Sequence, residues 1–330
     1  PGDVSTVLGE IRSTHDRALK AVGALEIGDE DAKQRRLRAQ VMLTRTLDIV
    51  DRLLTLGSGD VAFVSGPAHS PTLEVAPLDV GPTMAAGVWE KRTAVLTSAT
   101  VPMNLAGRIG LEGAELVDVG SPFDYEEQAL LYCAMHLPPP NDARFRAAVH
   151  DELEALILAA GGRTLALFTS WSAMDEAATA LADRIPQRIL TQRDLPKPAL
   201  LQAFAADEGT CLFATAGLFQ GVDIPGRTLS LVVIDRIPFP RPDDPLLSAR
   251  RDLLGPRAFS EIDLPRAATM LAQATGRLIR TDRDRGVVAV MDRRLGSAKY
   301  RWEIISALPP MRRTRERSEA VELLRSIADG

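Results

Sequence analysis

The residues with the clearest chemical potential are Gln273-Ala274-Thr275-Gly276-Arg277-Leu278-Ile279-Arg280. At about 100° per residue, Gln273, Arg277 and Arg280 fall within roughly 60° of one another on one helix face. Two guanidiniums and an amide there make a fork for phosphate oxygens. Gly276 inside a helix costs about 1 kcal/mol relative to Ala, which is explained if another surface approaches the backbone there. A solvated basic face is the plain alternative for an arginine pair. The neighbouring glycine, glutamine and following strand favour anion recognition.

A second constellation is Thr215-Ala216-Gly217-Leu218-Phe219-Gln220-Gly221-Val222-Asp223. It follows an apolar strand, where open α/β sheets place ligand loops. Its glycines let backbone N–H groups approach a phosphate, although an ordinary tight turn reads the same way. Two further groups, Ser98-Ala99-Thr100 and Thr169-Ser170-Trp171, are expected at strand C-termini. Their hydroxyls suit either helix capping or phosphate contact. Trp171 could stack on a base or pack in a core.

Two look-alikes fail on context. Gly57-Ser58-Gly59-Asp60-Val61-Ala62 matches GxGxxA but follows a helix and precedes a strand, the reverse of a dinucleotide site. Asp175-Glu176-Ala177-Ala178 resembles a metal-binding box but does not sit at a strand end. None of the five lysines follows a glycine, so the chain has no P-loop with which to hold ATP·Mg²⁺ by itself.

The elements that must position these groups alternate. Residues 1 to about 57 read as helix, with Leu43, Leu47, Val50 and Leu54 as an apolar stripe. Short strands at 61–65 and 72–76, a helix at 84–91 and a strand at 94–96 follow. From residue 129 onward, strands at 129–134, 164–168, 188–191, 211–215, 229–235 and 287–291 are predicted. Helices are predicted at 144–160, 172–184, 198–206, 264–279 and 315–328. Apolar strands alternating with helices mean a parallel sheet covered on both faces. The arginine-rich stretch 312–317, beside Pro309-Pro310, reads as the nearest thing to a charged linker.

The 330 residues suffice for about two domains, and 45% apolar with 25% charged residues is globular composition. A net charge of −5 argues against a nucleic-acid coat, yet residues 266–301 hold nine Lys and Arg against three Asp. Cys133 and Cys211, each in an apolar stretch, fit a reducing, cytoplasmic setting. The four histidines show no metal-ligand spacing with them, and no metal site is expected. No apolar run is long enough to span a membrane. The chain opens on Pro1 rather than methionine and on no secretory signal, as a segment of a longer protein would.

Together these motifs resemble the C-terminal half of superfamily 2 helicases of the DinG/XPD type. Thr97-Ser98-Ala99-Thr100 is similar to motif III, and Leu165-Ala166-Leu167-Phe168-Thr169-Ser170 to motif IV. Gln220-Gly221-Val222-Asp223 is similar to motif V, and Gln273 through Arg280 to motif VI. The phrases Ala76-Pro77-Leu78-Asp79-Val80, Ser121-Pro122-Phe123-Asp124 and Pro238-Phe239-Pro240 resemble bacterial DinG. The family usually carries an acidic residue where Gln220 stands.

The resemblance implies an α/β fold of RecA-like lobes. Residues 1–57 would be the tail of an arch-like insertion, 58–125 the last part of lobe 1, and 126–330 lobe 2. It implies Arg277 and Arg280 as arginine fingers oriented by Gln273, and Gly221, Asp223 and Gly276 at the nucleotide. Ser98, Ala99 and Thr100 would couple the lobes. Thr169, Ser170, Trp171, Thr215 and Gly217 would contact nucleic acid. It further implies an ATP-dependent 5′→3′ DNA helicase acting in DNA repair on single strands, forks or DNA–RNA hybrids. The protein would be monomeric, cytoplasmic and nucleoid-associated. ATP and Mg²⁺ would be held mainly upstream, as would any iron–sulfur cluster. The alternative is a non-catalytic RecA-like module that binds nucleic acid or protein. A Rossmann-type small-molecule enzyme would need a correctly placed GxGxxG, which is absent.

Overall fold

A computed structural model describes residues 3–26, 28–98, 100–102, 105–215, 218 and 229–330. The backbone divides into two compact units. The first comprises residues 1–95, 104–114 and 242–255, and the second 96–103, 115–241 and 256–330.

In the first unit, the expected single helical stretch is two helices, α1 (Val4–Gly23) and α2 (Glu30–Leu54). The Asp29 side chain accepts a hydrogen bond from Ala32 N–H at 2.7 Å and starts α2 afresh. Arg12 on α1 pairs with Asp51 on α2, so the helices run antiparallel. Strands β1 (Asp60–Ser65) and β2 (Thr72–Pro77) form an antiparallel hairpin, with Asp60 opposite Pro77 and Ser65 opposite Thr72. The helix expected at 84–91 is α3 (Gly81–Gly87) followed by one 3₁₀ turn, Trp89–Lys91. A short α4 (Leu105–Arg108) completes the segment, and the Trp89 indole N–H donates to the carbonyl of Ile109.

The strand expected at 94–96 does not form. Val95 is 85% exposed, and no described strand lies beside it to pair with. A strand is stable only when its backbone groups find ladder partners, so an apolar run alone cannot make one.

The second unit is built on seven parallel strands in the order β5-β6-β4-β7-β8-β3-β9. These are β3 (Ala129–Cys133), β4 (Thr164–Phe168), β5 (Arg188–Thr191), β6 (Thr210–Thr215), β7 (Leu231–Ile234), β8 (Gly286–Val290) and β9 (Arg312–Thr314). The short α5 (Tyr125–Gln128) leads into β3. Alternate strand residues serve opposite layers: Leu165 and Leu167 face one core, Ala166 and Phe168 the other. On one face pack α6 (Phe145–Ala160), α7 (Trp171–Leu181) and α13 (Arg317–Asp329), through Leu153, Met174 and Leu324 among others. On the other lie α8 (Lys197–Ala205), α10 (Leu264–Thr275), α11 (Arg294–Ser297) and α12 (Arg301–Ile305). Helix α6 ends at Gly161, whose φ of 65° is the left-handed conformation a glycine adopts without strain.

Three further features depart from the expected pattern. Residues 312–314 are not linker but an edge strand, with Leu130 of β3 opposite Arg312. The helix α9 (Pro245–Leu254) was not anticipated and belongs to the first unit, where Arg250 donates to the carbonyl of Leu78 at 2.7 Å. Helix α10 stops at Thr275, four residues short of expectation.

Candidate nucleic-acid and phosphate-binding sites

The early end of α10 changes the local geometry of the arginines. Gly276 is not mid-helix but caps it, its N–H donating to the Ala272 carbonyl at 2.9 Å. Arg277 and Leu278 add two tight turns onto Ala274 and Thr275. Glycine is a poor helix former, and the N–H groups of Arg280 and Thr281, which a longer helix would bond to Gly276 and Arg277, are taken by the Asp284 carboxylate instead. Leu278 and Ile279 between them are almost fully buried in the core against the sheet. Gln273, Arg277 and Arg280 therefore do not share a helical face. Gln273 lies in the last turn of α10, and half-buried Arg277 and Arg280 flank the buried Leu-Ile anchor beyond it.

The segment after the anchor is pinned by one nearby side chain and by one distant in sequence. The Asp284 carboxylate accepts from the backbone N–H groups of Arg280 and Thr281, each at 2.8 Å. The buried Gln128 amide donates to the carbonyls of Thr281 and Asp284, each at 3.0 Å. Tyr125 also senses this segment. Burial raises its hydroxyl pKa, while hydrogen bonding with Ser121 and the Arg280 charge pull it down. Sequence reasoning missed Gln128 and Asp284.

A second group assembles at the C-terminal ends of β4 and β6, adjacent strands with Phe168 opposite Thr215. Thr169 is held by Asp235 at the end of β7: its N–H and hydroxyl donate to the two carboxylate oxygens at 2.9 and 3.1 Å. Ser170 caps α7 by accepting from Ala173 N–H, which leaves its own hydroxyl hydrogen directed by whatever acceptor is near. Trp171 opens α7, and the Arg193 guanidinium lies 4.5 Å from its ring centroid. Arg193 is in turn forked by Asp175, so the box-like Asp175-Glu176 lies within a helix and its carboxylates serve ion pairs. Thr215 donates from N–H and hydroxyl to the Gln192 side-chain oxygen, both at 2.9 Å.

The candidate residues thus fall into two groups at opposite ends of the sheet. Thr169, Ser170, Trp171 and Thr215 lie at the C-terminal ends of the strands, while Arg277 and Arg280 precede β8 at the N-terminal end. A five-residue strand separates such edges by about 16 Å. Between Thr215 and β7 the chain contains Gly217, Gln220, Gly221 and Asp223, which lie outside the described residues. Ala99 does so too, and its neighbours form a local turn in which Thr100 N–H donates to the Ser98 hydroxyl at 3.2 Å.

Residues 153–311 match the family model for the helicase C-terminal domain. The chain is 44% identical over 268 residues to the ATP-dependent helicase DinG of Mycobacterium tuberculosis (strain ATCC 25177 / H37Ra), covering 78% of this chain and 40% of that protein. It is 39% identical over 262 residues to the ATP-dependent DNA helicase YoaA of Escherichia coli (strain K12), covering 77% and 41%. The chain is thus similar to the C-terminal part of DinG-type helicases. Its fold is correspondingly RecA-like: an XPD helicase structure superposes with a TM-score of 0.59 at 19% identity, over 90% of this chain and 55% of that one. The chain spans about two fifths of the length of the DinG and YoaA relatives.

Within this helicase segment, the buried Asp235 carboxylate departs from its ordinary range. Burial pushes its carboxyl up to about 6, against the pull of nearby Arg236 and the Thr169 hydrogen bonds. The folded value lies above the unfolded one, so this group's contribution to stability is fully present below about pH 4 and is lost as pH rises through about 6. A two-unit shift amounts to about 3 kcal/mol. Asp235→Asn is therefore expected to flatten the fall in stability between pH 4 and 7, measured by urea unfolding at several pH values. An unchanged pH profile would mean that Asp235 is ionised without penalty. Both cysteines are free and buried, and burial pushes Cys133 up to about 11 and Cys211 up to about 12, far from reactive thiolates. Among the described residues no cluster of three or more His, Cys, Asp or Glu could hold a metal ion, and no helix is long and apolar enough to cross a membrane.

Proposed function

We propose that this chain is the C-terminal part of an ATP-dependent DNA helicase that translocates 5′→3′ on single-stranded DNA and unwinds duplexes. Residues 1–57 are then the tail of an arch-like insertion, 58–125 the end of RecA-like lobe 1, and 126–330 lobe 2. The observation that carries this reading is the motif VI segment. Two arginines flank a buried Leu-Ile anchor, on a loop tied down by Asp284 and Gln128. Guanidiniums pre-positioned in this way suit the oxygens of a nucleotide phosphate.

In this reading Arg277 and Arg280 act as arginine fingers in cis, with Gln273 orienting that end of α10. Gly276, Gly221 and Asp223 lie along the nucleotide, and Ser98, Ala99 and Thr100 couple the lobes. Ser170, Trp171, Thr215 and Gly217 contact the DNA backbone and bases, with Thr169 fixed beside them by Asp235. Bound ATP·Mg²⁺ supplies the phosphoryl chemistry, and the P-loop and metal ligands come from the upstream lobe. An iron–sulfur cluster, where the protein has one, is also upstream. The substrates are single strands, forks and DNA–RNA hybrids in repair, and the protein works as a cytoplasmic, nucleoid-associated monomer.

The purified chain is expected to bind single-stranded DNA weakly, with an affinity that falls steeply with salt as counterions are released. It is also expected to turn over no ATP above background. Binding that ignores salt would refute the phosphate-contacting groove. DNA-stimulated ATP hydrolysis by the chain alone would refute the assigned division of labour.

A further inference from the structure

Helix α12 presents Trp302 with 55% of its surface exposed, the largest side chain left so open among the described residues of the second unit. Two guanidiniums cover it: the Cζ of Arg301 lies 5.1 Å from the ring centroid and that of Arg313 lies 5.5 Å from it. Beside it is a depression of about 450 Å³ floored by Leu131, Cys133 and Ile305, with Arg313 and Arg315 at its rim. Arg312, Arg313 and Arg315 are exposed, and among the described residues none of them has a carboxylate within ion-pair distance. Arg317, two residues on, behaves differently and pairs with the buried Glu152. Glu316 is the single acidic residue lining the depression.

Charged residues on β9 protect a sheet edge from pairing with another chain, which accounts for arginines there. Edge protection does not account for a half-exposed indole, flanked by two guanidiniums, beside an apolar-floored hollow. An aromatic face with unpaired cations around it is what a base and its flanking phosphates require. β9 is also four strands from β4, about 19 Å at sheet spacing, so this patch is separate from the Thr169–Trp171 group.

We propose that Trp302, Arg313 and Arg315 form a second subsite for single-stranded DNA. One base stacks on Trp302 at the mouth of the hollow, and adjoining phosphates lie on Arg313 and Arg315. The proposal rests on the reading that this chain binds single-stranded DNA.

The test is a titration of a fluorescein-labelled oligo(dT) of about 20 nucleotides, followed by anisotropy across a salt series, with polyglutamate as a rival probe. Trp302→Ala should weaken binding about tenfold, and Trp302→Phe should retain most of the affinity. Arg313→Ala with Arg315→Ala should weaken binding and make the log–log salt slope shallower by about 1.4. These side chains are exposed, and unchanged thermal melting of each variant would confirm an intact fold. Wild-type binding that all these variants preserve would overturn the subsite while leaving the helicase reading standing. No binding by the wild type at low salt would overturn both. Trp302-dependent binding of polyglutamate without Trp302-dependent binding of oligo(dT) would assign the patch to an acidic protein partner and overturn the DNA subsite.

Discussion

Arg280→Ala in the full-length protein is expected to lower DNA-stimulated ATP turnover by about 10³–10⁵-fold while leaving DNA binding largely intact. The size of the effect follows from what an arginine finger does. It places a permanent planar charge where the transferring phosphoryl group spreads its own, inside a site from which water is excluded. Arg280→Lys should recover little, because a point charge on a flexible stem does not reproduce the fork. Asp284→Ala retains the Arg280 side chain but removes the acceptor that holds the Arg280 and Thr281 N–H groups, so the guanidinium is free to shift. A misplacement of about 1 Å costs on the order of 10²-fold, so its loss should be intermediate. Steady-state turnover and DNA affinity, measured side by side, separate these outcomes. Normal hydrolysis by Arg280→Ala would remove the catalytic role from this segment and leave it structural or DNA-binding.

The contrast between these two residues also marks what could be read from the sequence. Arg280 stands in a motif, with a type and spacing that advertise phosphate chemistry. Asp284 and Gln128 hold it in place, yet Gln128 lies 153 residues from its Thr281 partner, and only the folded sheet brings them together. The same distinction runs through the fold. β4, β6, β7 and β8 were legible because buried parallel strands are apolar on both faces. The 94–96 run is equally apolar, but its state depends on a neighbouring strand that a local pattern cannot reveal. β9 was missed for the opposite reason: its backbone pairs with β3 while two of its three side chains are exposed arginines. The end of α10 was misplaced because the 3.6-residue periodicity of buried positions continues through Gly276 to Leu278 and Ile279, whereas the capture of the Arg280 and Thr281 N–H groups by Asp284 belongs to the folded turn. Thr169 and Ser170 were found as candidate contacts. That Asp235 engages the first and α7 the second is a property of the assembled strand ends.

Gly286→Ala is expected to destabilise the second unit by about 3–4 kcal/mol and to abolish DNA-stimulated turnover in the full-length protein. Gly286 opens β8, and a Cβ built there would stand 2.3 Å from the Ser230 carbonyl oxygen and 2.7 Å from Leu278 Cδ1. The carbonyl cannot retreat freely, because it accepts the Val287 N–H at 2.8 Å where β7 meets β8. Leu278 can move, but it is half of the anchor between Arg277 and Arg280, so its displacement carries the arginines with it. The double variant Gly286→Ala/Leu278→Ala separates the two contacts. If the backbone collision dominates, the double variant is no more stable than Gly286→Ala in urea unfolding. Recovery to the stability of Leu278→Ala alone would place the conflict on the leucine and free the β7–β8 pairing from any part in it. Gly286→Ala that folds and hydrolyses ATP normally would mean that the strand start tolerates a side chain, and that the position of the arginines is set by Asp284 and Gln128 without help from β8.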